Sequence, residues 1–202
     1  MNNLHSIVSH FNTKGPVNEI QPLGSGLIND TYKVTTLEAD APDYVLQRIN
    51  HAIFQNVEML QTNIEAVTRH IRKKLTEQGA DDIDRKVLSF IPADTGKTYW
   101  YDGENYWRIM TFIPNAKTYE TVDAEYSYYA GVAFGNFQAM LADIPDTLGE
   151  TIPDFHNMEF RLKQLRDAVA ADAVGRVKEV QYYLDEIEKR ADEMCKGERL
   201  YR

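Results

Sequence analysis

Apolar and polar residues change period along this chain, and the changes mark out its elements. Leu4, Ile7, Val8 and Phe11 fall on one side of a short helix that Gly15-Pro16 ends. Val17–Leu23 and Thr31–Thr36 then read as strands rich in β-branched and aromatic residues, and Tyr44–Ile49 as a third. The period lengthens from Val57, where Val57, Leu60, Ile64, Val67, Ile71 and Leu75 recur at steps of three and four. Asn56 is placed to cap that helix and Gly79 to close it. Strand patterns return over 86–91, 98–101 and 105–113, with turns at 94–97 and at Asp102-Gly103. Beyond Pro114 the pattern is helical, over 123–144, 159–172 and 176–195. Gly131 and Gly135 predict close packing on the first of these, and Gly197 predicts the end of the last, with 198–202 extended. The pattern predicts an α+β fold in two parts: a strand-rich lobe with one long helix over residues 1–113, and a helical lobe over 114–202.

Composition narrows the functional classes. A chain of 202 residues that is 43% apolar and 26% charged can bury a real core, and it has no apolar run of membrane-spanning length. A net charge of −9 argues against nucleic-acid and membrane-surface partners. Cys195 is the single cysteine, so an intrachain disulfide is impossible, and the first ten residues lack the plan of a signal peptide. A cytoplasmic location is expected. The histidines His5, His10, His51, His70 and His156 show no metal-like pairing.

The stretch with most chemical content is Pro22–Val34, P-L-G-S-G-L-I-N-D-T-Y-K-V. Gly24, Ser25 and Gly26 interrupt a strand-like run, and Asn29, a residue that tolerates positive φ, follows. A dinucleotide fingerprint needs a third glycine and a helix behind it; here a strand follows. Strand, glycine turn, strand fits either an ordinary hairpin or a loop lying over nucleotide phosphates. Gly96-Lys97-Thr98 mimics the end of a P-loop, but Ile91 stands where that motif requires glycine, so it reads as a hairpin turn.

The order of these elements is the layout of kinase-like phosphotransferases. P-L-G-S-G-L-I-N-D-T-Y (22–32), Y-V-L-Q-R-I-N (44–50), N-V-E-M-L-Q-T-N-I (56–64), Y-W-R-I-M-T-F-I-P-N-A (106–116) and I-P-D-F-H (152–156) resemble the aminoglycoside phosphotransferase family. Within it the resemblance is closest to N-acetylhexosamine 1-kinase-type sugar kinases. It implies an ATP- and Mg²⁺-dependent transfer of phosphate to the hydroxyl of a small substrate such as a sugar. It further implies that Gly24, Ser25, Gly26 and Asn29 cover the phosphates and that Arg48 on the third strand meets them. Glu65, or failing that Glu58, would hold Arg48. Met110, Thr111, Phe112 and Ile113 would form the hinge beside the adenine, with Met110 or Phe112 covering the ring.

One departure bears on catalysis. The family's H-x-D-x-x-x-x-N loop, which supplies the base and a metal ligand, is absent; after His156, Met158 stands where aspartate is required. The chain is therefore expected to be the N-terminal part of a longer kinase, with no catalytic residue or metal ligand of its own. An unpaired strand at 199–202 and the apolar side of the 123–144 helix would then favour self-association. The rival reading is a kinase-like binding module without catalysis. A sulfatase of the mucin-desulfatase type is a poorer third, since Gly197 replaces the proline that its C-x-P-x-R setting around Cys195 would need.

Overall fold

The computed structural model describes residues 4–24, 26–119 and 121–201, which form two compact units, 1–151 and 152–202. In the first unit the short helix α1 (Leu4–Val8) precedes the strands β1 (Val17–Pro22), β2 (Asp30–Thr36) and β3 (Tyr44–Ile49). The long helix α2 (Val57–Glu77) and the single turn α3 (Ile83–Lys86) follow, then β4 (Phe90–Ile91), β5 (Trp100–Tyr101), β6 (Tyr106–Thr111) and the helix α4 (Ala124–Leu141). The strands form one antiparallel sheet in the order β1-β2-β3-β6-β4, with β5 also paired to β6. This is the expected α+β arrangement of a kinase-like N-terminal lobe.

Strand alternation sorts the sheet into two faces. On one, Val34, Tyr44, Leu46, Trp107 and Ile109 pack with Ile7, Val8, Phe11 and Ala93 into the main core. Trp100 lies against that cluster and stacks on His10, whose Nδ1 is 2.7 Å from Asp94. The other face belongs to α2. Asn56 caps this helix as expected, its side chain accepting from the Met59 amide, and Gly79 at φ 67° closes it.

Two sequence expectations are corrected in this unit. The strand expected over 86–91 is a helical turn and a loop, with only Phe90–Ile91 in the ladder. Arg72 of α2 explains this: it donates to Asp84, to the Val87 carbonyl and to Ser89 Oγ, holding the segment to the helix before it can pair. Gly131 and Gly135 do not mediate close packing, since a Cβ at either would meet nothing within 4 Å. Polar contacts tie the end of α4 and the residues after it to α2, and Phe137 of α4 lines a cavity with the apolar side of α2. His70 Nε2 and Lys74 Nζ meet the Met140 carbonyl at 3.0 and 2.9 Å, Lys74 also pairs with Asp143, and Arg69 meets Asp146 at 3.0 Å. Tyr128 and Phe134 of α4 stand about 70% exposed.

In the second unit, α5 (Met158–Ala171) is followed by a 3-10 turn (Val177–Val180), α6 (Gln181–Met194) and α7 (Lys196–Tyr201). Leu162, Ala191 and Cys195 form its small core, with Met158 and Ile187 against them. The extended segment expected at 198–202 is helical over its described residues, so it presents no unpaired strand edge. Arg199 accounts for the difference: its guanidinium bonds Asp192 at 2.8 Å and Glu159 at 3.4 Å, fastening the last turn down. Cys195 is buried, which removes it from any role as an accessible sulfatase cysteine. Among the described residues no helix is long and apolar enough to cross a membrane.

Besides the ion pairs at Asp143 and Asp146, the segment after α4 is tied to α2 through Asn63. Asn63 donates to the Gly149 carbonyl (2.6 Å) and accepts from the Gly149 amide (2.9 Å). Asn63→Ala strands both backbone groups and is expected to cost about 1–3 kcal/mol. Calorimetry should show the loss as a fall in Tm of roughly 2–4 °C per kcal/mol; an unchanged Tm would mean that Asn63 does not hold this segment.

Candidate functional site

The glycine hairpin joins β1 to β2 as expected, and Leu23 N–H donating to the Thr31 carbonyl (2.8 Å) continues their pairing. Gly24 carries the positive φ, 71°, rather than Asn29. Gly26 is favoured for a different reason: a Cβ there would sit 3.0 Å from the Asn29 carbonyl oxygen, closer than most side chains come to backbone. Asn29 fastens the hairpin to the end of β3 by accepting from the Asn50 amide at 3.0 Å. Ser25 lies outside the described residues.

From the hairpin a line of hydrogen bonds crosses the α2-facing side of the sheet. Gln47 donates to Thr31 Oγ1 at 3.1 Å, and its carbonyl oxygen accepts from Arg108 Nε at 3.0 Å. Arg108 Nη1 donates to Gln61 Oε1 of α2 at 3.0 Å. Gln61, almost fully buried, turns its amide nitrogen to the Thr98 carbonyl and hydroxyl at 3.1 and 3.0 Å. Thr98 in turn donates to Glu65 Oε1 at 2.5 Å. Arg108, Gln47 and Met110 line a cavity of about 670 Å³ with Leu60, Ile64 and Val67 of α2. Burial pushes the Arg108 guanidinium down to about 10.

The expected pairing of Arg48 with Glu65 is not made. Register explains it: Arg48 opposes Trp107 while Gln47 opposes Arg108, so Arg48 projects from the face that α1 covers, away from α2. Its Nε meets Asp30 at 2.6 Å, a second nitrogen also pairs with Asp30, and Nη1 donates to Asn105 at 3.1 Å. Glu58 is engaged as well, with Lys97 at 3.0 Å. Hydrogen bonds to the Tyr99 hydroxyl and to Glu58 raise the Lys97 pKa. Gly96 at φ 78° makes this stretch the hairpin turn that its sequence predicts.

At the expected hinge, Met110 is buried and belongs to the α2-facing side. The Thr111 and Phe112 amides donate to the Ser89 and Asp43 carbonyls, both at 2.9 Å, so neither N–H is directed at a ligand. Lys33 Nζ lies 4.4 Å from the centre of the Phe112 ring and 3.0 Å from Asp43.

A sheet with a glycine hairpin at one end, a long helix on one face and a polar line between them is the frame of a kinase-like nucleotide lobe. A model of the phosphotransferase enzyme family matches residues 19–200. The chain belongs to that family. Phosphotransfer to a small molecule is thus the activity class of the fold. Arg108, which turns toward α2, is not among the site residues expected from the sequence. The signal that could have found it is alternation: Trp107 and Ile109 are the apolar side of that strand, which turns Arg108 the other way. Members of this phosphotransferase family draw on Mg²⁺, but among the described residues no group of three His, Cys, Asp or Glu side chains is placed to hold a metal ion. The described residues do not fit the ion.

Asp102 fixes the turn before β6. Its carboxylate accepts from the Asn105 amide at 2.6 Å, the Glu104 amide at 2.8 Å and the Trp107 indole at 2.8 Å. Burial alone would raise its pKa, but the bonds from Asn105, Trp107 and Glu104 outweigh burial and hold it below the usual carboxylate value. A carboxylate depressed in the folded state contributes stability above its unfolded pKa and loses it as pH falls through the folded one. Asp102→Ala is therefore expected to lower stability near neutrality by about 1–3 kcal/mol, since it also strands the Trp107 N–H. Its unfolding free energy should fall less steeply than that of the unsubstituted chain from pH about 5 to about 3. Parallel curves from denaturant melts would contradict this.

Proposed function

We propose that this chain carries the nucleotide-binding part of an ATP-dependent phosphotransferase that acts on the hydroxyl of a small substrate, with N-acetylhexosamine-type sugars as the leading class. Residues 1–113 form the nucleotide lobe in this reading, and 114–202 open the helical lobe. The observation that carries it is the unbroken polar line from the glycine hairpin through Thr31, Gln47 and Arg108 to α2, on the face that also bears Met110. The hairpin covers the phosphates with Gly24, Ser25, Gly26 and Asn29, and the purine lies toward Met110 and Phe112. Ile113 and the carbonyls of the segment meet the purine edge, because the Thr111 and Phe112 amides are already engaged.

The chemistry asked of these residues is binding and exclusion of water. Backbone N–H groups at a glycine turn approach phosphate closely without a side chain in the way. The general base and the metal ligands are not among these 202 residues, since the H-x-D-x-x-x-x-N loop is absent. The chain by itself is accordingly expected to hold nucleotide and release no ADP. The same absence favours the second reading, a nucleotide-binding module without transfer. The sugar assignment is tested by extending the chain through a catalytic loop and measuring ADP release with N-acetylhexosamines, aminoglycosides and choline in parallel.

Nucleotide binding itself is read by thermal stabilisation. ATP at about 100 times its Kd would stabilise the fold by about 2.7 kcal/mol, a rise in Tm of roughly 5–10 °C. Gly26→Val, which drives a side chain into the Asn29 carbonyl, should abolish most of that rise. An unsubstituted chain whose Tm ignores ATP and adenosine alike would contradict the proposal.

A further inference from the structure

The strands carry three cations, and their partners differ in kind. Lys33 of β2 is paired with Asp43 at 3.0 Å. Arg48 of β3 is paired with Asp30 on the α1-covered face. Arg108 of β6 faces α2 and is held by two neutral side-chain amides, the oxygens of Gln47 and Gln61, each at 3.0 Å. Among the described residues no carboxylate lies within ion-pair distance of Arg108. The nearest acid along its hydrogen-bond line is Glu65, three bonds away behind Gln61 and Thr98.

A partly buried guanidinium without a carboxylate partner is an unbalanced cost, because two amide oxygens take two of its N–H groups and the Phe90 ring lies 5.7 Å away, but no full negative charge offsets its own. The two bonds use Nε and Nη1, while a guanidinium offers five N–H donors in one plane. The arrangement orients the fork and leaves charge to spend on an anion that is not part of the protein. Gln47 links the same group to Thr31 behind the glycine hairpin, so an anion beneath the hairpin lies within the same polar line.

We propose that Arg108, supplied by β6, is the cation that meets the nucleotide phosphates in this protein, oriented by Gln47 and Gln61, and that Arg48 is a structural residue. The inference rests on the nucleotide reading above. It assigns glutamine the place where the family resemblance puts a glutamate: Gln61 holds the cation directly, and Glu65 acts only through Thr98. Neutral support is functional here. A carboxylate at position 61 would neutralise Arg108 before phosphate arrived, whereas an amide positions it and keeps the full charge for the ligand.

Three variants and three probes test this: Arg108→Met, Gln61→Glu and Arg48→Ala, each titrated with ATP, inorganic tripolyphosphate and adenosine by calorimetry. Losing a charge-assisted phosphate contact weakens binding by about tenfold or more. Arg108→Met should show that loss for ATP and tripolyphosphate and leave adenosine unchanged. Gln61→Glu guards against a variant that merely fails to fold. It puts a carboxylate beside Arg108 but loses the donor to the Thr98 carbonyl, so its ligand-free Tm should change less than that of Arg108→Met while both phosphate ligands weaken. Arg48→Ala should bind all three like the unsubstituted chain. If Arg108→Met binds ATP normally, or Gln61→Glu leaves phosphate affinity intact, the assignment falls and the nucleotide site stands. The same holds if ATP binds the unsubstituted chain no better than adenosine. If neither ATP nor adenosine binds it, the nucleotide reading and this inference fail together.

Discussion

The structure of the first unit depends on one buried hydrogen-bonded junction, where Gln47 of β3, Arg108 of β6 and Gln61 of α2 meet. Gln61 is nearly inaccessible to solvent, and each of its polar atoms has a partner: the oxygen takes Arg108, the nitrogen takes Thr98 twice over. A buried network of this kind stabilises only when complete, because each unmet group keeps its full desolvation cost. It therefore fixes the rotation of α2 on the sheet and the register of the strands beneath it. The apolar face opposite, built on Leu46 and Ile109, supplies the bulk of the burial but would tolerate small shifts that this junction does not.

The same junction separates two tasks that a single sheet must perform. One face is closed by α1, which sets Ile7 and Val8 against Tyr44, Leu46 and Trp107, and Arg48 is kept at its margin by Asp30 and Asn105. The other face meets α2 across a largely apolar cavity, and it carries Arg108, which has no carboxylate within ion-pair distance among the described residues. On the reading proposed above, the closed face gives rigidity and the open face addresses the ligand. The hairpin belongs to both, since Asn29 anchors it to Asn50 and Thr31 joins it to Gln47.

Much of this was legible in the sequence. The period-two runs gave β1, β2, β3 and β6 closely, and the three-and-four spacing from Val57 gave α2 with its Asn56 cap. Glycines at 24 and 26 located the hairpin, although the positive φ fell on Gly24 while Asn29 turned out to be an anchor. What failed was decided by long-range contacts. No local signal shows that Arg72 will hold 84–89 against α2, or that Arg199 will bind Asp192 and Glu159 and keep the last turn helical. At the site, the resemblance implied a pairing of Arg48 with Glu65 from position in the chain, and position does not specify a face. Arg48 and Gln47 are adjacent residues on opposite sides of a sheet, and a shift of one residue moves a side chain from cleft to core.

Arginine side-chain NMR tests the central claim, that the α2-facing side of the sheet is the nucleotide face. With arginine labelled at Nε, Arg108 and Arg48 give separate resonances, assigned by substituting each in turn. The account predicts that ATP shifts the Arg108 Nε–H signal progressively to saturation and leaves that of Arg48, held by Asp30, where it was. A titration in which Arg48 moves and Arg108 stays silent would contradict it.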